Sequence, residues 1–293
     1  MASIRIAALA MVMAGAATLA SATPPSAPGN KPFLALGDSV PFGFITNDGY
    51  AYVNSDNFIG YPDWAGGDLR LDTTNAACPG ETSVTFVSST ALDPLGPFGC
   101  RAFRASFPLH VSYTSSEETQ LKFATDFLTA HKQTRLVTIG LGSNDVLALE
   151  QSCSGNLACI QAGLPPVLAT LKLNMAQILQ GLRATGFRGA LIVVNYYSLD
   201  YSNSDLTALV ISLNNTLATV AGENHAVVAD AFTAFRNAAY STTFAGGNTC
   251  KAGLLNGNPP SGGTLCDVHP SQSGHQLLAD TVEATFKAAS PGM

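Results

Sequence analysis

The sequence predicts an α/β fold in which a parallel sheet carries helices on both faces, and three observations predict it. Short, nearly uncharged apolar runs of strand length recur along the chain: KPFLALG (Lys31 to Gly37), RLVTIGL (Arg135 to Leu141), GALIVVN (Gly189 to Asn195) and HAVVAD (His225 to Asp230). Segments with apolar residues at helical spacing separate them, and strands that alternate with helices pair in parallel. Composition completes the case, because 46% of the 293 residues are hydrophobic and only 12% are charged, enough to bury a sheet on both sides.

Taken in order, Lys31 to Gly37 runs into a Gly-Asp turn and reads as a buried first strand. Ser115-Ser116-Glu117-Glu118 matches a capping box, and Leu121, Phe123, Ala124, Phe127 and Leu128 follow at helical spacing, so a helix is predicted from there to about His131. Arg135 to Leu141 is the next strand. A long helical stretch follows from about Leu157 to Thr185, with an interruption predicted at Pro165-Pro166, since a proline lacks the N–H and crowds the preceding turn. Gly189 to Asn195 is a strand, Asp205 to Gly222 a helix, His225 to Asp230 a strand, and Ser271 to Ala288 a terminal helix. Between residues 30 and 290 there is neither an internal repeat nor a shift in composition, which predicts one domain over residues 32–290. The Gly-, Ser- and Pro-rich stretches Ser88 to Pro97 and Phe244 to Gly263 exceed ordinary connections, and loops of that length often wall a binding site.

Residues 1–22 read as a secretory signal. Arg5 gives the basic start, Ile6 to Leu19 the apolar stretch, and Ala20-Ser21-Ala22 the small-residue cleavage pattern. The alternative, a retained anchor, is disfavoured by a run that is short and rich in Ala. Residues 23–31, with three Pro and one Gly, form a flexible lead-in. The mean hydropathy of +0.21 comes with no later apolar run long enough to span a bilayer, so an extracellular protein without stable membrane insertion is expected. Export makes the six cysteines disulfide candidates, and no C-x2-4-C pair typical of zinc sites occurs. Neighbours in sequence suggest Cys78 with Cys100, Cys153 with Cys159, and Cys250 with Cys266, although spacing alone does not choose among the possible pairings. Net charge is -6, from 14 Lys+Arg against 20 Asp+Glu with no basic stripe, which argues against a nucleic-acid partner.

In an open parallel sheet, ligands bind beyond the carboxyl ends of the strands. Three polar motifs fall at such places: Ser39 in Gly37-Asp38-Ser39-Val40, Asn144 in Gly142-Ser143-Asn144-Asp145, and His269 in Asp267-Val268-His269-Pro270. A hydroxyl nucleophile needs a base, and the transition state of an ester needs donors for its oxyanion. Ser39, His269 and Asn144 suit those tasks, against the plainer roles of turn serine, loop histidine and helix cap. Asp38 is expected to shape the turn around Ser39. Trp64 and the Tyr196-Tyr197 pair are candidates for a pocket lining or for core, and Asn214-Asn215-Thr216 fits a glycosylation acceptor.

These residues together resemble the SGNH (GDSL-type) hydrolase family. Its first block resembles Phe33 to Gly43 (FLALGDSVPFG), its second Asn75 to Ser83 (NAACPGETS) around Gly80, its third Gly142 to Asp145, and its fifth Asp267 to Pro270, all in family order. The resemblance implies a flavodoxin-like three-layer sandwich and hydrolysis of esters by Ser39, with no metal and no other cofactor. It also implies an oxyanion hole made of the Ser39 and Gly80 N–H groups and the Asn144 amide. Secreted bacterial members with three disulfides are similar, and some act on acyl lipids. One departure concerns the acid: family members commonly place Asp three residues before the histidine, where this chain has Cys266, and Asp267 stands two before His269. Asp267 as orienting acid and a Ser-His dyad oriented by a main-chain carbonyl both stay open. The expectation is a secreted, monomeric serine esterase for acyl lipids or other hydrophobic esters. Polysaccharide deacetylation is the enzymatic alternative, and a non-catalytic glycan-binding protein the other.

Overall fold

Strand β1 (Lys31–Gly37) is an inner strand of the sheet, with Phe33 to Gly37 buried. The computed structural model describes residues 31–45, 51–115, 117–241, 243–257 and 266–290; the expected signal segment and the expected lead-in up to residue 30 lie outside them. On either side of β1 run β2 (Leu71–Asn75) and β3 (Leu136–Gly140), followed outward by β4 (Ala190–Val194) and β5 (Val227–Ala229). The order β2-β1-β3-β4-β5, parallel throughout, is that of flavodoxin-like doubly wound sheets. Because Gly37 stands opposite Gly140, β1 and β3 end level, and the loops that follow them emerge side by side.

The alternation of side chains along each strand divides the core into two layers. Leu34, Leu36, Val137, Ile139, Leu191 and Val193 face one way, under α5 (Gln120–Ala130), α7 (Leu157–Ala184) and α8 (Ser204–Glu223). Phe33, Ala35, Leu136, Ile192 and Val194 face the other, under α2 (Tyr61–Leu69), α9 (Ala231–Tyr240) and α10 (Gln272–Ala289). A helical layer, the sheet and a second helical layer make the three-layer α/β sandwich.

Two helices differ from the sequence expectation, each for a local reason. The Ser115–Glu118 box does not open α5; Thr119 caps it, accepting from the Lys122 N–H at 3.1 Å. The buried Glu118 carboxylate instead accepts from the Thr114 N–H and from its hydroxyl, which holds a turn ahead of the helix. Helix α7 continues through Pro165 and Pro166 without a break. Both prolines are exposed, so the carbonyls that lose a partner there face water, and the missing bonds cost less than they would in a core. Edge strand β2 is polar (LDTTN) with only Asn75 fully buried, so it carries no apolar run for sequence reading to find. No helix among the described residues is long and apolar enough to cross a membrane.

Candidate active site

The site is assembled where β1 and β3 end. Gly37 has φ +130, and a Cβ there would lie 1.9 Å from the Gly140 carbonyl oxygen, so only glycine permits the two strands to finish in register. Asp38 then turns the chain: its N–H donates to Gly140 O at 3.0 Å, and its carboxylate accepts from the Val40 N–H at 2.9 Å, capping the short α1 (Ser39–Phe42). The buried Asp38 also accepts from the Ser143 hydroxyl at 2.9 Å and the Tyr196 hydroxyl at 2.5 Å. Burial raises its pKa above the ordinary carboxylate value, against the lowering effect of those bonds. Ser39 is thereby presented from a turn anchored in three segments.

His269 comes from the opposite end of the chain, on β7 (Cys266–Pro270), which pairs antiparallel with β6 (Leu255–Gly257). Its Nε2 lies 2.9 Å from Ser39 Oγ. On the other side of the ring, Nδ1 lies 2.9 and 2.8 Å from the two Asp267 oxygens. A carboxylate at Nδ1 requires the proton there, which leaves the Nε2 lone pair to accept from the serine hydroxyl. The structure therefore joins Ser39, His269 and Asp267 in one hydrogen-bonded line despite the two-residue spacing. The two side chains are 12% and 11% exposed, respectively. Their loop is fixed by the Tyr197 hydroxyl, which donates to Val268 O at 2.7 Å, and by the Cys250–Cys266 disulfide at the start of β7. Phe44 closes against the imidazole edge to face, with centroids 4.9 Å apart. Phe44 also meets the rings of Tyr52, Phe58 and Phe103; Tyr52 touches both Phe58 and Phe103, and Phe107 stands against Tyr52 and Phe103.

The second side of the site follows β2. Cys78 donates its N–H to Gly37 O at 3.0 Å and is bonded to Cys100, so the turn at Gly80 begins beside Ser39. Gly80 has φ +78, and a Cβ on it would lie 2.2 Å from Phe98 O; the loop before Cys100 presses on this turn as a wall. Arg101 ties that loop down by donating to Ser88 O at 2.6 Å and Ala91 O at 2.5 Å. Asn144, at the start of α6 (Ser143–Ser152), donates its side-chain amide to Glu81 O at 2.9 Å, next to Gly80. The neighbouring Asp145 locks α6 to α3 (Ser83–Val87), accepting from the Ser83 N–H at 3.0 Å and its hydroxyl at 2.5 Å. Burial pushes Asp145 up to about 6.

Two further residues of this site are given no role by the sequence: Glu81, inside the second block, and Gln120, outside any block. Glu81 is buried, accepts from Thr85 Oγ1 at 2.5 Å and from Gln120 Nε2 at 3.0 Å, and is pushed up to about 7 by burial. Gln120 sits at the first position of α5, where an amide gives no sign of function. The remaining cysteines form Cys153–Cys159, away from the serine, so all six are paired. Cys78, Glu81 and Cys100 bring three potential metal ligands within 4.8 Å, but both sulfurs are committed to the disulfide and supply no thiolate. Trp64 is half-buried against the core, and Tyr196 and Tyr197 are core residues whose hydroxyls are hydrogen-bonded. Asn214 is also withdrawn: in α8 it accepts from the Tyr196 N–H and donates to Tyr196 O at 2.9 and 2.7 Å, which removes it as a glycosylation acceptor in the folded chain.

Comparison with known proteins identifies the family and supports the fold. The model of the GDSL-like Lipase/Acylhydrolase family matches residues 35–277. The crystal structure of phospholipase A1 from Streptomyces albidoflavus NA297 superposes with TM-score 0.52 at 15% identity, over 87% of this chain and 99% of that one. A catalytic mutant of an acetylxylan esterase from Geobacillus stearothermophilus gives 0.51 at 17% identity, over 88% and 94%. No curated protein sequence matches the chain. At these identities the structural likenesses speak for the fold, and the chemistry rests on the chain's own residues.

Proposed function

This chain belongs to the GDSL-like lipase/acylhydrolase family, and we propose that it is a secreted serine esterase acting on hydrophobic carboxylic esters through an acyl-enzyme on Ser39. The observation that carries the proposal is the continuous line from Ser39 Oγ through the imidazole to the Asp267 carboxylate, at 2.9 Å and 2.8 Å. Ser39 Oγ attacks the ester carbonyl while His269 Nε2 takes its proton, and the imidazolium formed is stabilised by Asp267. The oxyanion is held by the N–H groups of Ser39 and Gly80 and by the Asn144 amide, whose second hydrogen remains after the bond to Glu81 O. Collapse of the tetrahedral intermediate breaks the bond to the alcohol, which leaves with the proton from Nε2. Water then attacks the acyl-enzyme with His269 again as base, and Ser39 is regenerated as the acid departs.

The preference for hydrophobic esters is supported by the aromatic group that Phe44 carries to the imidazole and by Phe98, 73% exposed and contiguous with the Gly80 turn. Export is supported by three disulfides, which persist in oxidising compartments, together with the signal-like residues 1–22. The test is labelling by a fluorophosphonate, combined with hydrolysis of p-nitrophenyl esters of increasing chain length beside a phospholipid and an acetylated sugar. Labelling of wild type but not of Ser39→Ala, with turnover rising beyond acetate, is expected. Preference for the acetylated sugar would give the substrate to a deacetylase, and absence of both labelling and turnover would leave a binding protein.

A further inference from the structure

We infer that Gln120 is a positioning residue for the proposed oxyanion hole, holding in register the three segments that supply its donors. The inference rests on the serine-esterase reading. Gln120 is buried at the first position of α5, and its side-chain amide makes three bonds. Oε1 accepts from the Gly37 N–H at 2.5 Å, while Nε2 donates to Gly37 O at 3.0 Å and to Glu81 Oε2 at 3.0 Å. One amide thus pairs with both polar groups of the residue two before Ser39, and at the same time with the residue directly after Gly80. Through the main chain of Glu81 the connection continues, since Glu81 O accepts from the Asn144 amide at 2.9 Å.

The geometry around Gly37 explains why a side chain is needed. Gly37 O already accepts from the Cys78 N–H at 3.0 Å, and beyond Cys78 the chain reaches Pro79, which has no N–H to extend the ladder. Past that point no main-chain hydrogen bond among the described residues links β1 to the Gly80 turn, and the distance between Ser39 N–H and Gly80 N–H depends on side chains. Gln120 supplies the missing link from a helix packed on the first core layer. Glu81 is its rigid counterpart, fixed on the far side by Thr85 Oγ1 at 2.5 Å. Bonds of this kind do not touch substrate. They set whether three donors converge on one point, and a displacement of about 1 Å from such a point costs rate rather than ground-state binding.

Gln120→Met keeps the approximate volume and removes all three bonds. With a p-nitrophenyl ester, kcat is expected to fall about tenfold or more with KM within about twofold, because the fault lies with the tetrahedral species. Affinity for an alkylboronic acid, which forms a tetrahedral adduct on the serine, is expected to fall in parallel with kcat/KM. A change in packing alone does not produce that parallel. Gln120→Glu retains the acceptor for the Gly37 N–H and, as a carboxylate, loses both donors; it is expected to lose severalfold in kcat and boronate affinity, and it decides the matter if the methionine variant does not fold. A folded Met variant with kcat and boronate affinity within twofold of wild type, or a loss carried by KM, overturns the inference, as does an unaffected Glu variant. Wild type inert to both the ester and the fluorophosphonate would instead overturn the serine reading beneath it, so the two failures are told apart.

Discussion

Replacing Asp267 by Asn removes one charge from the Ser39–His269 line while keeping its shape, and the structure allows the loss to be estimated. Both carboxylate oxygens lie within bonding distance of Nδ1, at 2.9 and 2.8 Å, and both side chains are almost shielded from water, so no large discount for screening applies. A hydrogen bond to a charged group contributes about 1.5–3 kcal/mol, which at 1.36 kcal/mol per decade predicts a fall in kcat of roughly ten- to a hundredfold. The true value lies towards the upper end if the Asn amide donates to Nδ1, because the ring proton then moves to Nε2 and the Ser39 proton has nowhere to go. The known loss of about ten-thousandfold in a serine-protease triad is a ceiling. KM changes little, since Asp267 has no proposed contact with substrate. The assay is steady-state hydrolysis of a soluble p-nitrophenyl ester across pH, for wild type, Asp267→Asn and Asp267→Ala. A decrease smaller than about twofold, with Ser39 and His269 still indispensable, refutes the reasoning and leaves a dyad.

Asn144→Ala is expected to lower kcat by about a hundredfold with KM much less affected; unchanged kcat in a folded variant would reduce Asn144 to a strut between α6 and Glu81. Replacing both Cys250 and Cys266 by Ala should release the histidine loop, so that activity at moderate temperature falls before the near-UV circular dichroism of the core changes. Simultaneous loss of both signals would contradict that. Glu81 has a folded pKa of about 7 against 4.5 when exposed; it is protonated in the folded chain where the unfolded chain is ionised. Stability is therefore fully present below pH 4.5 and declines as pH rises towards about 7, by roughly 3 kcal/mol at most. Urea unfolding of Glu81→Gln should lack this slope, and curves parallel to wild type from pH 4.5 to 8 would show that Glu81 does not titrate this way.

The parts of the fold legible in the sequence are those whose burial is uniform. β1, β3 and β4 announce themselves as apolar runs because helices cover both of their faces, and α8 and α10 because one stripe of each is buried; β5, at the other edge, is apolar in sequence although Val227 is exposed. β2 is an edge strand with polar side chains, and its place in the sheet is decided by main-chain bonds to β1 that leave no imprint on composition. The prolines of α7 illustrate a different limit: what proline does to a helix depends on which side faces water, and that depends on the tertiary fold. At the site, Ser39, Asn144 and His269 could be singled out because each follows or precedes a recognisable element with a distinctive tripeptide. Gln120 could not, since only the folded sheet brings residues 37, 81 and 120 together. The same holds for Tyr196, whose hydroxyl serves Asp38 rather than a pocket.

Around the serine, the end of the sheet is filled with carboxyl groups where an apolar core would be more stable. Asp38, Glu81 and Asp145 are all buried, and burial raises the pKa of each, so each gives up stability near neutral pH. Their bonds have a common pattern. Asp38 joins the Ser39 turn to Ser143 and Tyr196, Asp145 joins α6 to α3, and Glu81 joins the Gly80 turn to α5 through Gln120. Dispersion contacts would hold these segments together without fixing their rotation, whereas hydrogen bonds to a carboxylate fix both distance and direction. An oxyanion hole needs that second property, because its donors stabilise the transition state only if they already point at the oxygen before charge develops there. The stability forgone at three buried acids is thus the physical counterpart of the proposed site, whose donors need not reorganise, and the pH slope expected from Glu81 is where that exchange becomes measurable.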